Sequence, residues 1–254
     1  MKIYSWNVNG IRAVTRKGFL DWIEEEQPQV LALQEIRIQD DQLKDKLRNI
    51  EGYYSYFNFG ERKGYSGVGL YSKIKPDKVS NGLGIEKFDY EGRVMQVEYP
   101  NFTFLNIYFP NGKSSKERLN YKLDFYDTVL EHCEKLREEG HNILISGDYN
   151  TAHHEIDLKN PDANKDKSGF LPIEREWLDK LEDHGYIDTY RYFYPDKETY
   201  SWWSYRTRAR ERDAGWRIDY HFISEELEEN LVSADILTDV MGSDHCPVTI
   251  ELEF

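Results

Sequence analysis

The sequence predicts a mixed α/β domain in which β-sheets are covered by helices. Short apolar segments recur between Gly, Pro and Asn residues, as β-strands do, and longer segments carry apolar residues at helical spacing. The two kinds of segment are interspersed without strict alternation of strand and helix. No Pro-, Gly- or Ser-rich linker interrupts the chain, and 39% of its residues are hydrophobic. Residues 1–254 are therefore predicted to form one domain with a sizeable core.

The individual elements follow from these patterns. Residues 3–8 and 30–34 are predicted as buried strands, separated by a helix that Pro28 ends. Residues 117–137 form a long amphipathic helix, and residues 173–183 form another helix. The apolar stripe of the long helix comprises Leu119, Leu123, Tyr126, Leu130 and Cys133. Further strands are predicted over residues 53–59, 67–72, 93–99, 102–108, 142–146, 216–224 and 247–254.

Composition limits the functional classes. The net charge is −14, whereas proteins that bind nucleic acid through its phosphates are usually basic, so such an activity would depend on local basic clusters. Two clusters are present: Lys113, Lys116, Arg118 and Lys122, and then Arg206, Arg208, Arg210, Arg212 and Arg217. No apolar run reaches the roughly 18–20 residues of a membrane span. No secretory signal is expected at the start.

Cysteine and histidine usage excludes other classes. Two cysteines, Cys133 and Cys246, are too few for a disulfide framework or a cysteine-based zinc site, and they favour a reducing, cytoplasmic location. Cys246 adjoins His245 but is predicted to be a small buried residue rather than a nucleophile. The adjacent His153 and His154 are interpreted as a surface or helix-capping element rather than as metal ligands.

Polar residues that can bind a metal ion or a phosphate follow nearly every predicted strand. The endings read SWNVNG, LQE, NIYFPN, SGDYN, RIDY and GSDHCP. Taken singly, each has a structural explanation, since Asp148 could belong to a turn and Asp219 could be a satisfied core carboxylate. Six such endings in one chain instead favour a crevice in which strand ends build a ligand site.

The residue types at these endings suit a hard cation. Mg²⁺ takes oxygen ligands and is typically held by one or two carboxylates together with a substrate phosphate. Glu35, with Asn7 and Asp244 nearby, fits this description.

Hydrolysis of a phosphodiester also needs a positioned water and stabilisation of the charge that grows on the phosphate. Asp148 is predicted to accept a proton from the water and Asn150 to orient it. Tyr108, and a His245 kept charged by Asp219, can donate hydrogen bonds to the phosphate. No serine or cysteine nucleophile motif is evident, which favours direct attack by water.

At these residues the sequence resembles the exonuclease III family of abasic-site endonucleases, within the endonuclease/exonuclease/phosphatase superfamily. The resemblance runs from residue 5 to residue 247 and rests on SWNVNGIRA, LQE, YSGVG, NIYFPNG, GDYNTAH, GFLP, WRIDY and GSDHCP, all in the family's order. It implies a four-layer, DNase I-like α/β sandwich with two mixed β-sheets packed face to face and helices outside. It also implies a DNA-repair endonuclease that uses Mg²⁺, with Mn²⁺ as a substitute, to cut 5′ to abasic sites in duplex DNA. The accompanying activities would be those of a 3′→5′ exonuclease and a 3′-phosphodiesterase.

The resemblance also assigns roles to residues. The catalytic residues it implies are Tyr108, Asp148, Asn150, Asp219 and His245. The metal ligands it implies are Glu35, Asn7, Asp244, Asp148 and Asn150. Asn9 stands where many relatives carry Asp, and Ile36-Arg37 stand where relatives often have Thr-Lys. The positions expected to contact DNA are Arg12, Arg37, Tyr65, Arg93, Asn111, Arg118, Asn164, Arg208 and Arg210.

Residues 200–224 are similar to the loop that walls the family's pocket for a flipped-out abasic sugar. Trp202, Trp216 and Ile218 occupy the matching positions. A pocket lined by bulky apolar residues admits a bare sugar and excludes one that still carries a base. Trp203 is instead predicted to be a core aromatic residue.

Two alternatives remain. A nonspecific DNase, or an inositol-phosphate or sphingomyelin phosphodiesterase, would share the catalytic set, although the pocket loop and the NIYFPNG and GFLP motifs favour an abasic-site enzyme. A binding module without catalysis would lack catalytic side chains, all of which are present. The expected partner is double-stranded DNA with abasic sites, and the chain is expected to act as a monomer without membrane contact.

Overall fold

Two six-stranded β-sheets lie face to face at the centre of the molecule. We describe them from a computed structural model that covers residues 1–254, apart from the side chain of residue 207. The strands are β1 (Lys2–Asn7), β2 (Val30–Gln34), β3 (Tyr54–Asn58), β4 (Val68–Ser72), β5 (Lys78–Asn81), β6 (Val94–Glu98), β7 (Thr103–Tyr108), β8 (Ile143–Asp148), β9 (Tyr186–Asp188), β10 (Asp219–Ser224), β11 (Leu231–Ile236) and β12 (Val248–Leu252). The first sheet has the order β11-β12-β1-β2-β4-β3, and the second has the order β5-β6-β7-β8-β10-β9.

Seven helices accompany the sheets. They are α1 (Ile11–Thr15), α2 (Phe19–Glu26), α3 (Asp45–Arg48), α4 (Glu86–Asp89), α5 (Lys116–Glu138), α6 (Pro172–Asp183) and α7 (Thr189–Phe193). Helix α5 begins where the Ser115 hydroxyl accepts the backbone N–H of Arg118 at 3.1 Å. Helix α6 begins with Pro172, whose missing N–H would have no helical partner at that position. Among the described residues, no helix is both long and apolar enough to cross a membrane.

Successive side chains along a strand point to opposite faces of its sheet, so the apolar residues form one core between the sheets and further cores outside them. Ile3 of β1 and Phe104 of β7 point into the space between the sheets, whereas their neighbours Tyr4 and Leu105 point outward. The outer face of the first sheet packs against α1 and α2, and that of the second sheet packs against α5 and α6. The prediction of a four-layer α/β sandwich is confirmed.

The strand directions bring six strand ends to one edge. Strands β1 and β2 pair in parallel, and so do β7 and β8, so the carboxyl ends within each pair coincide. Strand β10 runs antiparallel to β8, and β12 runs antiparallel to β1, so their starts meet those same ends. In the second sheet, Asp148 is paired with Tyr108 on one side and with Asp219 on the other.

All predicted strands and both long helices are confirmed within a few residues of their bounds. Strand β8 is longer than predicted, because it continues through Asp148 and does not stop at residue 146. The predicted strand over residues 216–224 begins at Asp219, and Trp216 makes isolated bridges to Leu158 and Trp202 instead. Strands β5, β9 and β11 were not predicted. They are short or partly exposed edge strands that show no continuous apolar run.

Candidate active site

Two buried carboxylates from different sheets lie side by side at the shared sheet edge. Asn7 ends β1, Glu35 directly follows β2, and Asp148 ends β8. The Asn7 side-chain amide donates to Glu35 Oε1 and to Asp148 Oδ2, each at 2.9 Å. Since all three residues are buried, this amide is what holds the two acidic groups at a fixed spacing.

The backbone around these side chains is strained. Asn9, Glu35 and Asn150 have φ angles of 45°, 51° and 53°, in the left-handed region that residues other than glycine rarely adopt. Each lies within two residues of the end of β1, β2 or β8. Strain of this kind concentrates at functional sites, where the surrounding structure enforces it.

Asp219 and His245 form a buried pair beside the two carboxylates. His245 Nδ1 lies 2.8 Å from Asp219 Oδ2, which also accepts the hydroxyl of Ser201 at 2.6 Å. Burial alone would lower the pKa of His245, but the carboxylate of Asp219, aided by other nearby acids, raises this pKa to about 10. The imidazole is therefore charged at neutral pH, and its Nε2–H can serve as a donor in the site.

Asp148 has the properties of a proton acceptor. Burial and the neighbouring carboxylates of Asp219 and Glu35 raise the pKa of Asp148 to about 7, although the positive charge of His245 acts in the opposite direction. Asp148 Oδ1 accepts the backbone N–H of Asn150 at 2.8 Å, which fixes the orientation of the carboxylate. A general base is most effective when its pKa lies near the working pH.

The same carboxylates fit a metal ion. Glu35, Asp148 and His245 each place one potential ligand atom within 4.8 Å of the others. His245 is charged and bonded to Asp219, so the two carboxylates are the available ligands. Like charges held this close disfavour ionisation, and a divalent cation between them would relieve that repulsion. The oxygen-only donor set suits a hard cation.

Three of the five predicted metal ligands also accept hydrogen bonds from neighbouring protein groups. Asn7 Oδ1 accepts the N–H of Asn9 at 3.0 Å, and Asn150 Oδ1 accepts from the amide of Asn111 at 3.1 Å. Asp244 accepts from Asn9 Nδ2 at 2.8 Å and from the indole of Trp202 at 3.1 Å. An oxygen that accepts one hydrogen bond keeps a second lone pair, so Asn7, Asn150 and Asp244 stay predicted ligands.

Tyr108 lies at the edge of the carboxylate group with its hydroxyl protonated. Burial and the negative charges of Glu35 and Asp148 raise the pKa of Tyr108 well above its usual value. The phenol is therefore a hydrogen-bond donor at any physiological pH.

Arg93, which is predicted to contact DNA, packs against Tyr108. The Arg93 side chain is 1% exposed, and its guanidinium lies over the Tyr108 ring at 4.5 Å. It is bonded to Glu91, to the hydroxyl of Tyr65 at 2.8 Å and to the carbonyl of Tyr108 at 2.9 Å. In the free protein this guanidinium is buried and bonded on all sides, and contact of Arg93 with DNA stays a prediction.

Tyr65 and Arg118 meet in the same network, closer to the surface. Arg118 makes a two-pronged ion pair with Glu91 at 2.7 and 2.8 Å and donates to the Tyr65 hydroxyl at 2.9 Å. Both residues remain partly exposed and stay candidates for contact with DNA.

Indole rings wall a cleft beside His245. Trp202 and Trp216 meet edge to face with ring centres 6.3 Å apart, and Ile218 packs with them at 7% exposure. The two indoles border a cleft of about 920 Å³, whose lining also includes Asn164, Lys113, Arg206 and Arg212 but not Ile218. Trp203 is buried, as predicted for a core aromatic.

The remaining residues that are predicted to contact DNA differ in their exposure and in the protein groups that their side chains bind. Arg12 is exposed, as is Arg208, whose side chain is 82% accessible. Arg37 pairs with the carboxylate of Glu35. Arg210 donates to the carbonyls of Thr238 and Val240 at 2.6 and 2.7 Å, so it anchors a loop and is a weaker candidate for contact with phosphate.

Two members of the basic clusters are structural. Lys122 is fully buried and bonded to Glu174 at 2.7 Å. Arg217 is buried between Asp157 and Asp188, at 2.7 Å from each. The sequence pattern alone could not separate these buried cations from surface ones.

Sequence reasoning missed three contributors to the site. The hydroxyl of Ser201 orients Asp219, and Glu91 joins Arg93 to Arg118. Lys113 places its ammonium over the rings of Trp202 and Trp216 at 5.3 and 5.7 Å. No sequence motif marks Ser201 or Glu91, since Ser201 acts through Asp219 and Glu91 acts by joining Arg93 to Arg118. Lys113 was named only as a member of a basic cluster, although its position directly after the NIYFPNG motif could have marked it as a site residue.

Comparison with known proteins is consistent with this geometry. A family model described as the endonuclease/exonuclease/phosphatase family matches residues 4–245. The chain is 45% identical over 252 residues to a Bacillus subtilis protein named exodeoxyribonuclease, covering 98% of each chain. It is 42% identical over 257 residues to a Dictyostelium discoideum DNA-(apurinic or apyrimidinic site) endonuclease, covering 100% of this chain and 71% of that one. The structure of an AP endonuclease from Archaeoglobus fulgidus matches with a TM-score of 0.90 and 29% identity, covering 100% of both chains.

Proposed function

Because the chain belongs to the endonuclease/exonuclease/phosphatase family, we propose that it is a nuclease that hydrolyses the phosphodiester bond 5′ to abasic sites in duplex DNA. The products are a 3′-OH and a 5′-deoxyribose phosphate. The observation that carries the proposal is the position of the indole-walled cleft, because Trp202 bridges directly to His245. The neighbourhood of Trp202 and His245 supports a pocket for a bare sugar near the reacting groups. Secondary 3′→5′ exonuclease and 3′-phosphodiesterase activities use the same groups.

The chain's own residues divide the work of hydrolysis. Asp148 accepts the proton of the attacking water, and the Asn150 amide, 3.3 Å from Asp148 Oδ2, helps to orient that water. Charged His245 and protonated Tyr108 donate hydrogen bonds to phosphate oxygens as charge develops there.

We propose Mg²⁺ as the cofactor, with Mn²⁺ able to replace it. Glu35 would be its main protein ligand, with Asp148 beside it, because both carboxylates offer a ligand atom within the same group at the sheet edge. When bound, the ion supplies positive charge at the phosphate oxygens.

The test is cleavage of a duplex that carries one abasic analogue, followed on a sequencing gel. We expect a single cut 5′ to the analogue in Mg²⁺ and none in excess chelator. The same duplex without the analogue is the control. Equal cutting of both duplexes, or of plain plasmid, would favour a nonspecific DNase, and release of phosphate from phosphoinositides would favour another branch of the superfamily.

A further inference from the structure

A second group of potential ligands lies outside the candidate active site. His153 and His154 belong to the segment that follows β8, and Glu182 lies in the last turn of α6. Each offers one ligand atom, and these atoms lie within 4.8 Å of one another. His153 is fully buried, so the interpretation of this histidine pair as a surface element is wrong for His153. His154, by contrast, does precede a short 3₁₀ turn, Glu155–Asp157, as its N-cap.

The orientation of the His153 ring is fixed from one side. Its Nε2 lies 2.7 Å from Asp179 Oδ1. A carboxylate can only accept, so Nε2 carries the hydrogen and Nδ1 presents a lone pair. Among the described residues, Nδ1 has no hydrogen-bond partner, and Glu182 Oε1 is 3.8 Å away. Buried polar atoms almost always have a partner, so this lone pair calls for one.

We propose that this group binds a divalent transition-metal ion, with Zn²⁺ the best match. The ligands are His153 Nδ1, a ring nitrogen of His154 and a carboxylate oxygen of Glu182. Two imidazoles and one carboxylate are a common zinc set, whereas Mg²⁺ selects oxygen ligands. Tetrahedral zinc with bonds of about 2.0 Å holds neighbouring ligand atoms roughly 3.3 Å apart. Glu182 Oε1 lies 3.8 Å from His153 Nδ1, and the His153 and His154 rings are stacked 3.7 Å apart, so the side chains of Glu182 and His154 turn toward Nδ1 when the ion binds.

The surroundings match those of metal-binding histidines. Such a histidine usually donates its second N–H to a carboxylate, which is the role Asp179 plays for His153.

The ion would join the segment after β8 to α6. The carbonyl of His153 already accepts from Arg175 of α6 at 2.6 Å, and the metal adds a second link near the end of that helix. Asn150 lies three residues before His153 on the same segment. Bound zinc therefore stabilises the segment that positions Asn150, while the hydrolytic site keeps its separate hard cation.

The first test is calorimetric titration of chelator-treated full-length protein with Zn²⁺. The variants His154→Ala and Glu182→Gln each remove one partly exposed ligand, and His184→Ala removes a nearby histidine outside the group. Any zinc taken up by the hydrolytic site is common to all four proteins. We expect wild type and His184→Ala to bind one more ion per chain than the two ligand variants. Their thermal midpoints should also rise more with zinc. Equal stoichiometry and equal midpoint shifts in all four proteins would overturn the proposal.

Two further measurements test the zinc site even if a ligand variant folds poorly. Asp179→Asn leaves all three ligands in place but removes the carboxylate that fixes the His153 tautomer. The zinc affinity should fall roughly 10–100-fold with stoichiometry unchanged. In crystals of wild-type protein grown with Zn²⁺, an anomalous peak between His153 Nδ1 and Glu182 is expected. Zinc bound only at other positions would contradict the assignment.

Discussion

At the scale of single residues, the candidate site depends on polar groups that keep like charges together. The Asn7 amide holds Glu35 beside Asp148, and the Asn9 amide caps Asp244. With Asp at position 9, a carboxylate would face Asp244 and repel it. In this chain, Asn9 donates a hydrogen bond there instead, so Asp244 can hold the Trp202 indole in place.

The residue most directly testable is Asp148. Asp148→Asn keeps the size of the side chain but removes its basic oxygen. A positioned general base contributes roughly 10²–10⁴-fold, so the single-turnover cleavage rate should fall by that factor while DNA binding is retained. The measurements are single-turnover kinetics on an abasic duplex and a binding isotherm in the presence of Ca²⁺. A variant that cleaves normally but binds poorly would assign Asp148 a role in binding.

Asp219 and His245 should behave as one unit. Without Asp219, His245 loses the partner that orients it and raises its pKa. Asp219→Ala and His245→Ala should therefore reduce kcat by similar factors, and the double variant should be little worse than either. Ser201→Ala, which removes a second donor to Asp219, should cause a smaller loss. Multiplicative effects in the double variant would show that the two side chains act independently.

At the scale of elements, the cleft is built by segments that lie outside regular strands. Trp202 and Trp216 pair through isolated bridges, and Arg210 ties the adjoining loop to the carbonyls of Thr238 and Val240. The loop can thus vary without altering the sheets that hold the carboxylates. Under the proposed function, selectivity is assigned to this loop and chemistry to the sheet edge.

Trp202→Ala tests this division. Removing the indole opens space that a base could occupy, and contacts of this kind are worth roughly 1–3 kcal/mol. Cleavage at abasic sites should fall modestly, while the preference for abasic over normal nucleotides should shrink about 10-fold, since 1.4 kcal/mol corresponds to that factor.

Arg208→Ala is the matched control for Trp202→Ala. Its exposed side chain can contact phosphate, which adds affinity without discriminating between substrates. Both activities should weaken together, and the salt dependence of binding should decrease. If Arg208→Ala changed the preference while Trp202→Ala left it intact, the pocket would lie elsewhere.

At the scale of the whole molecule, His221 links the two sheets. It lies on β10, its Nδ1 is 2.5 Å from the hydroxyl of Ser146 on β8, and its Nε2 is 3.1 Å from the carbonyl of Val248 on β12. Burial lowers the pKa of His221 to about 4. The folded state therefore needs a neutral imidazole at this contact between the sheets.

His221 should make the protein sensitive to mild acid. Its pKa is lower in the folded chain than the value near 6.5 expected when unfolded, so the unfolded state binds the proton first. The stabilisation is complete above pH 6.5 and is lost as the pH falls toward 4, by about 1.4 kcal/mol per pH unit. In His221→Gln the free energy of unfolding should be lower at pH 7 but should change less between pH 7 and 5. Urea denaturation at both pH values measures this, with the exposed His184→Gln as control. Parallel pH dependence in wild type and His221→Gln would contradict the argument.

Much of the fold and of the site could be predicted from local patterns. Apolar runs and helical spacing located β1, β2 and α5 to within a residue or two, because buried elements leave a strong periodic signal. Motifs at strand ends located Glu35, Asp148 and His245, which the structure brings together. Strands β5, β9 and β11 were not predicted, because these edge strands are short or partly exposed and show no continuous apolar run.

The sequence by itself determined the layered α/β architecture, the family and the carboxylates available for chemistry, since each is written in residue types and their spacing. Tertiary structure alone decided the partner of each polar group. Arg93, Lys122 and Arg217 are buried in ion pairs. From the sequence, each had been assigned to a basic cluster or to the DNA-contact set, as had the exposed Arg208. Tertiary structure also turned His153 inward toward Asp179 and Glu182. The physical reason is that a charge or a lone pair is defined by its neighbours in space, and those neighbours come from distant strands and helices.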